Sequence, residues 1–291
     1  MSLNIYNQSN DFINDNMSPQ DLLVKLTNKR MQTISTLSYI HPTAIIGEGV
    51  TISNFVSIEE DVIIGDGTWI APNVVIMSGA RIGKNCKIFS GAVISGPPQD
   101  LKYAGEPTTL EIGDNTVVRE CCTLNRGTKA TGKTVIGKNC LLMAYTHVAH
   151  DCIVGNECVL SNNATLAGHV ELEDYVLFGG MVGVQQFLKV GAYSMLGGGT
   201  MHNKDVPPYV RIGHVPSCYI GVNTIGLRRR GFSDETIRHI QDIYQHLYVL
   251  NQNISKGMQA VQNNVPDSIY KTQILNFVEM SKGGVVRGFK V

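Results

Sequence analysis

Ile46, Ile52, Ile58, Ile64, Ile70, Ile76, Ile82, Ile88 and Ile94 follow one another at a strict interval of six. The series resumes with Ile112, Val118 and Leu124. It then runs through Ile136, Leu142, Val148, Val154, Leu160, Leu166, Leu172, Phe178, Val184, Val190 and Leu196 without one polar member. An amphipathic helix repeats its apolar face about every 3.6 residues and a half-buried strand about every two, so neither produces this spacing. A solenoid of hexapeptide units does: each unit is a short strand and a turn, and three units close a triangular coil of about eighteen residues. The pattern therefore predicts a parallel β-helix. Two places before each repeat residue runs a second column of small side chains, Ala44, Val50, Val56, Val62, Thr68, Val74, Ala80, Cys86 and Ala92. Large and small groups would share a narrow interior. Glycine often follows the repeat residue, as in Ile46-Gly47, Ile64-Gly65, Ile82-Gly83 and Ile136-Gly137, where a permissive backbone is expected to help the chain turn a corner.

The period breaks after Ile94, in Gly96-Pro97-Pro98-Gln99-Asp100-Leu101-Lys102-Tyr103, and after Leu124, around Arg126-Gly127-Thr128-Lys129. Both are expected to leave the coil as loops, the places where a rigid solenoid carries binding groups. Upstream, Ser18-Pro19-Gln20-Asp21 before Leu22, Leu23 and Leu26 reads as the start of a short helix that covers the open end of the first coil. Downstream, Pro207-Pro208 ends the pattern, and Ser233-Asp234-Glu235 opens a helix with Ile237, Ile240, Tyr244, Leu247 and Leu250 on one face. The chain divides into an N-terminal extension, 1–40, the β-helix, 41–205, and a helical domain, 206–291, holding two or three helices.

Composition removes several classes of function. Lys plus Arg and Asp plus Glu number 24 each, so no net field draws the protein to nucleic acid or an anionic membrane. The first thirty residues lack the apolar core of a signal peptide, and no later stretch is apolar enough to span a bilayer or anchor the chain, which suggests a cytoplasmic protein. Seven cysteines without a secretory signal point to reduced thiols. Cys122, Cys140, Cys152 and Cys158 fall in the small-residue column and read as core residues, with no CxxC pair to suggest a metal or redox site.

Candidate chemistry gathers where the repeat is regular. His150, Gly168 and Gln186 each stand two places after a repeat residue in three successive coils. Asp151 and His169 share the next column. Coils stack at the strand spacing of roughly 4.8 Å, which brings the Gly168 backbone beside His150. A neutral imidazole and a backbone N–H at one reacting group suit acyl transfer to a hydroxyl, the first removing the proton and the second stabilising the oxyanion. No nucleophilic serine, cysteine or cofactor is required. His147, His150 and His169 together also leave zinc coordination open, as in hydratases on this scaffold. Arg228-Arg229-Arg230 is a basic cluster at the junction with the helices.

The segments Gln99-Asp100-Leu101-Lys102-Tyr103-Ala104-Gly105-Glu106-Pro107, His147-Val148-Ala149-His150-Asp151-Cys152 and Asn162-Asn163-Ala164-Thr165-Leu166-Ala167-Gly168-His169, with Gly226-Leu227-Arg228-Arg229-Arg230-Gly231-Phe232, resemble the UDP-N-acetylglucosamine O-acyltransferases that begin lipid A synthesis. The resemblance runs from about His41 to the C-terminal helices. It implies a left-handed β-helix and a homotrimer with sites between subunits. It implies transfer of an (R)-3-hydroxyacyl group from acyl carrier protein to the 3-hydroxyl of UDP-N-acetylglucosamine. By the same resemblance His150 is the general base, Asp151 its partner and Gly168 N–H the oxyanion donor. Gln99, Asp100, Lys102, His147, His169 and Gln186 match positions that meet the sugar nucleotide or support the base. Asn223, Arg229 and Arg230 match positions near uridine and phosphates, and Gly198 matches the position that measures the acyl chain. Three residues depart from the family pattern: Gln185 and Asn125, each where histidine is usual, and Ile225, where an acid is usual. They leave two other readings open, a 3-amino sugar nucleotide as acceptor and a non-catalytic paralogue that binds carrier protein.

Overall fold

The computed structural model describes residues 32–251 and 253–288. The short helix expected from Ser18 lies outside them. Among the described residues twenty-eight strands, most of two residues, form three parallel sheets of eleven, nine and eight strands, the first ending in one antiparallel pair. Within a sheet most strands pair with the strand eighteen residues on, as in Ile52 with Ile70 and Val148 with Leu166. Ile82 instead pairs with Ile112, thirty residues on, and Ile112 with Ile136, twenty-four on. The two ejected loops thus add twelve and six residues without disturbing the stack. Among the described residues the first strand of the ladder is Thr33–Ile34, eight residues upstream of His41.

Every repeat residue from Ile52 to Leu196 is buried, and Val50 to Ala92 of the small column are sealed beneath them. The cysteines of that column, Cys86, Cys122, Cys140, Cys152 and Cys158, are buried free thiols. Burial pushes Cys86 and Cys122 up to about 11 and Cys152 up to about 12, which is the behaviour of inert core groups.

The corner device differs from expectation. Gly47, Gly65, Gly83 and Gly137 do not adopt a left-handed backbone; that conformation falls two places later, at Gly49, Gly67, Asn85 and Asn139, and recurs at Asn73, Asp151 and His169. The glycines after the repeat residue answer a different constraint. A Cβ on Gly65 would lie 2.6 Å from the Gly83 carbonyl carbon and one on Gly137 2.5 Å from Gly155 O. Adjacent coils approach too closely there for any side chain.

The helical region also begins otherwise than expected. Val210–Gly213 continues the eleven-stranded sheet beyond Met195–Leu196, and Cys218–Val222 turns back antiparallel to close that edge. Four α-helices follow among the described residues: α1, Thr224–Arg229; α2, Asp234–Tyr244; α3, Ile254–Asn264; and α4, Ile269–Met280. Ser233 caps α2 by accepting from Thr236 N at 3.1 Å. The helix buries Ile237, Ile240, Ile243 and Tyr244, and a π-helical turn after it buries Leu247. Leu250, expected on the same face, is 59% exposed because that turn winds wider and rotates it outward.

Candidate functional site

His150 and Asp151 sit at the corner that leads from the nine-stranded into the eight-stranded sheet. Neighbours on a straight strand point apart. Asp151 has φ +60°, so the chain bends and the two side chains converge, with His150 Nδ1 2.8 Å from Asp151 Oδ2. The carboxylate is fully buried and richly hydrogen-bonded. Oδ1 accepts from Thr128 N at 2.9 Å and from the Thr131 hydroxyl, and Oδ2 accepts from the Thr128 hydroxyl at 2.7 Å. Asp151 N donates to Thr134 Oγ1 at 2.8 Å. Burial raises the Asp151 carboxyl, but the donors from Thr131, His150 and Thr128 together outweigh it and hold the group at about 2. It is a carboxylate at any working pH, and it fixes the imidazole with Nδ1–H inward and Nε2 free.

Gly168 stands one coil beyond His150, as its column position requires. A Cβ there would lie 2.6 Å from His150 Cε1 and 2.8 Å from Nε2. Only glycine lets the ring occupy this place. His169, in the next column, has its ring centroid 5.3 Å from that of His150, stacks on Phe187 at 4.5 Å, and brings Nε2 to 3.5 Å from Asp151 Oδ2. His147 shares Oγ1 of Thr123 at 2.7 Å through Nδ1. Desolvation lowers its basicity, partly offset by the hydrogen bond from Thr123, with a smaller lowering from His150. His150, Asp151 and His169 lie close enough to be weighed as a metal cluster. Both Asp151 oxygens, however, already accept N–H and O–H donors at hydrogen-bond distance, and the set reads as a hydrogen-bonded dyad with a neighbouring imidazole.

Among the described residues the other expected residues make no hydrogen bond or ion pair with this centre. Gln99, Asp100 and Lys102 lie on the first ejected loop, where Asp100 Oδ1 accepts from Lys102 N at 3.0 Å. Among the described residues no hydrogen bond or ion pair joins them to His150. The loop is nonetheless braced: Arg126 Nε donates to Tyr103 Oη at 3.2 Å, Lys129 N donates to Glu106 Oε1 at 3.1 Å, and Asn125 Nδ2 donates to Pro97 O. The Asn125 departure therefore has a structural use. Gln186 is exposed beside Phe187. Asn223 caps α1, accepting from Gly226 N at 3.3 Å and donating to Tyr193 O at 2.9 Å. Of the arginine run, Arg228 pairs with Asp234 at 2.9 Å, and Arg230 pairs with Glu157 at 3.4 Å and lies 4.6 Å over the Tyr175 ring. Arg229 alone is exposed with no ion pair among the described residues.

Two surfaces adjoin the centre. One coil beyond His147, in strand register, a cleft of about 590 Å³ opens on the outer face of the nine-stranded sheet, lined in part by Asn163, Thr165, Met181, Gly183, Gln185 and Met201. At the corner entering that sheet, side chains shrink from coil to coil from Met143 through Ser161 to Gly179 and Gly197, and the neighbouring column, after Ala144 and Asn162, also ends in two glycines, Gly180 and Gly198. A Cβ at Gly198 would lie 3.1 Å from Gly180 O. Thr128, Thr131 and Thr134 were not singled out by sequence reasoning. The only available signal was their place in the second ejected loop and the strand after it.

The chain is similar to known proteins over most of its length. Residues 61–96 and 133–168 match the bacterial transferase hexapeptide repeat family, and residues 205–288 match the second domain of the UDP-N-acetylglucosamine O-acyltransferases. The acyl-[acyl-carrier-protein]–UDP-N-acetylglucosamine O-acyltransferase of Xylella fastidiosa is 43% identical over 262 residues, 89% of this chain and 100% of that protein. The enzyme of the same name from Alkalilimnicola ehrlichii is 44% identical over 88% of this chain and 100% of its own. Among solved structures, a UDP-N-acetylglucosamine acyltransferase from Bacteroides fragilis superposes with a TM-score of 0.86 at 46% identity, covering 88% of this chain and 100% of that one. That likeness, with the repeats, identifies the solenoid as a left-handed β-helix.

Proposed function

This chain belongs to the UDP-N-acetylglucosamine O-acyltransferase family, and from that premise we propose that His150 is the general base of its acyl transfer and Gly168 N–H the oxyanion donor. The chain is an acyltransferase acting between acyl carrier protein and UDP-N-acetylglucosamine. The observation that carries the mechanism is the Asp151–His150–Gly168 stack: a buried carboxylate 2.8 Å from Nδ1, and a glycine whose missing side chain leaves room for the imidazole edge.

With Nδ1 held by Asp151, Nε2 takes the proton from the acceptor hydroxyl as its oxygen attacks the thioester carbonyl carbon. Negative charge moves to the carbonyl oxygen, where the Gly168 N–H receives it. Collapse re-forms the carbonyl and breaks the carbon–sulfur bond, and the imidazolium returns its proton to the departing thiolate. Neither a covalent enzyme intermediate nor a cofactor enters. The acyl group is a (R)-3-hydroxyacyl chain and the acceptor the 3-hydroxyl of the glucosamine, in the reaction that opens lipid A synthesis. The acyl chain lies along the corner where side chains give way to glycine, ending at Gly198, whose lack of a side chain admits a long acyl group.

Gln99, Asp100 and Lys102 serve a neighbouring subunit's site in a homotrimer, which accounts for a braced loop that makes no bond to its own His150 and carries fully exposed Leu101 at its tip. Asn223, Arg229 and Arg230 bind the nucleotide, with His147, His169 and Gln186 close to the sugar. The reduced core thiols fit a cytoplasmic location, and no helix among the described residues is long and apolar enough to cross a membrane. Incubation with UDP-N-acetylglucosamine and a ladder of 3-hydroxyacyl carrier proteins, with products identified by mass, tests reaction and chain length together. His150→Ala should abolish product while leaving the assembly folded, and near-normal turnover in that variant removes the base assignment.

A further inference from the structure

We propose that Thr128 and Thr131 are positioning residues: the second ejected loop is a carboxylate clamp that sets the orientation and tautomer of His150 through Asp151. This rests on the assignment of His150 as base.

The clamp is built for the purpose by local geometry. Gly132 N donates to Thr128 O at 2.8 Å, closing the loop into a tight turn. Its neck is pinned on both sides to the strand Thr109–Ile112, with Gly127 N donating to Thr109 O at 3.1 Å and Thr109 N donating to Gly132 O at 3.0 Å. The neck is so narrow that a Cβ on Gly127 would lie 2.4 Å from Lys133 N. The Thr128 hydroxyl accepts from Ala130 N at 3.2 Å, which leaves its proton directed at Asp151 Oδ2, 2.7 Å away. The Thr131 hydroxyl has one proton and two acceptors in reach, Lys133 O at 2.8 Å and the closer Asp151 Oδ1. The charged oxygen takes it, because a hydrogen bond to an ionised acceptor is the stronger one.

Three donors from one loop, Thr128 N–H and the two hydroxyls, thus occupy lone pairs of Asp151 and leave one well-directed position on Oδ2 for the Nδ1–H of His150. Without them the carboxylate would have freedom to rotate toward His169, whose Nε2 already lies 3.5 Å from Oδ2. His150 and His169 are the titratable groups that face Asp151. The loop's own Lys133 turns its Nζ to Glu111 at 3.2 Å.

The test compares wild type, Thr128→Val/Thr131→Val, Thr131→Val alone and Thr128→Ser/Thr131→Ser in the full-length protein. Valine keeps the shape and removes the hydroxyl. The double valine variant should lose roughly ten- to a hundredfold in kcat, the range for removing hydrogen bonds to a charged group, with KM for the sugar nucleotide unchanged. The single variant should fall between, and the serine pair should restore turnover. Independently of turnover, ¹⁵N spectra should show His150 as the Nδ1–H tautomer in wild type and as a mixture in the double variant. Wild-type kcat and an unchanged tautomer in the valine variants would overturn the clamp. If the double variant does not fold, the single variant's kcat and spectrum decide by the same criteria. An inactive His150→Ala beside fully active valine variants would reject the clamp alone, whereas an active His150→Ala would reject the base assignment beneath it.

Discussion

Replacing Gly168 by alanine strikes at the proposed base directly. The glycine has an ordinary backbone conformation, outside the left-handed region, so alanine meets no torsional penalty. What it meets is the base. The new methyl carbon would lie 2.6 Å from His150 Cε1, 2.8 Å from Nε2 and 3.3 Å from Nδ1. Carbon atoms pack at about 3.5 Å or more, so the ring has to retreat by about 1 Å. It cannot do so freely, since Nδ1 is tied at 2.8 Å to a carboxylate itself held by Thr128 and Thr131. A retreat of that size stretches the bond beyond useful length, forfeiting about 1.5–3 kcal/mol for a charge-assisted hydrogen bond. Misplacement of a reacting group by about 1 Å costs roughly a hundredfold in rate. Together these predict a kcat lowered by about two to three orders of magnitude, with a loss of folding stability no larger than that one hydrogen bond, about 1.5–3 kcal/mol. The assay is steady-state transfer from acyl carrier protein alongside urea unfolding. A Gly168→Ala enzyme within twofold of wild-type kcat would refute the argument that the missing side chain exists to admit the imidazole.

Other consequences are independent of that one. His202 continues the six-residue series as a buried core residue with its Nδ1 unsatisfied, and desolvation lowers it to about 4. The unfolded chain therefore binds a proton below about pH 6.5 that the fold refuses until about pH 4, so stability falls through that window by about 3 kcal/mol and levels off beneath it. His202→Leu should remove this component, seen as a smaller loss between pH 7 and pH 5 in urea unfolding; an equal loss in both proteins would dismiss it. Gly137→Ala should destabilise by about 1–3 kcal/mol through collision with Gly155 O, although its φ suits alanine; an unchanged midpoint would mean that the coils can separate. Gly198→Met should shift the preferred acyl chain several carbons shorter, each excluded methylene forfeiting about 0.8 kcal/mol of burial, and a carrier-protein ladder showing no shift would remove Gly198 as the measuring position.

Much of the active corner was legible in the sequence because the repeat is a coordinate system. Counting from Val148, Leu166 and Val184 places His150, Gly168 and Gln186 in one column, and the observed strand register preserves that count. The same counting failed for the glycines after the repeat residue. Periodicity marks them as special but not why, and the reason is the distance between coils rather than the local backbone. Thr128 and Thr131 escaped because they lie in an insertion, where the period carries no information about what the chain touches. The arginine run illustrates a third case: the sequence shows three like charges, and only the folded arrangement shows Arg228 and Arg230 engaged with Asp234 and Glu157.

What the sequence by itself determined is the coil: which side chains face inward, where strands pair, where loops leave, and which column each histidine occupies. All of these follow from a period of six repeated over twenty-odd units, a local property that needs no knowledge of distant contacts. The tertiary structure alone decided the state of the site. Asp151 turns to His150 because its residue adopts a left-handed corner, and it remains a carboxylate because a loop inserted between two coils folds back to donate three hydrogen bonds. Those contacts join residues twenty or more positions apart, through directions in space that no one-dimensional period encodes.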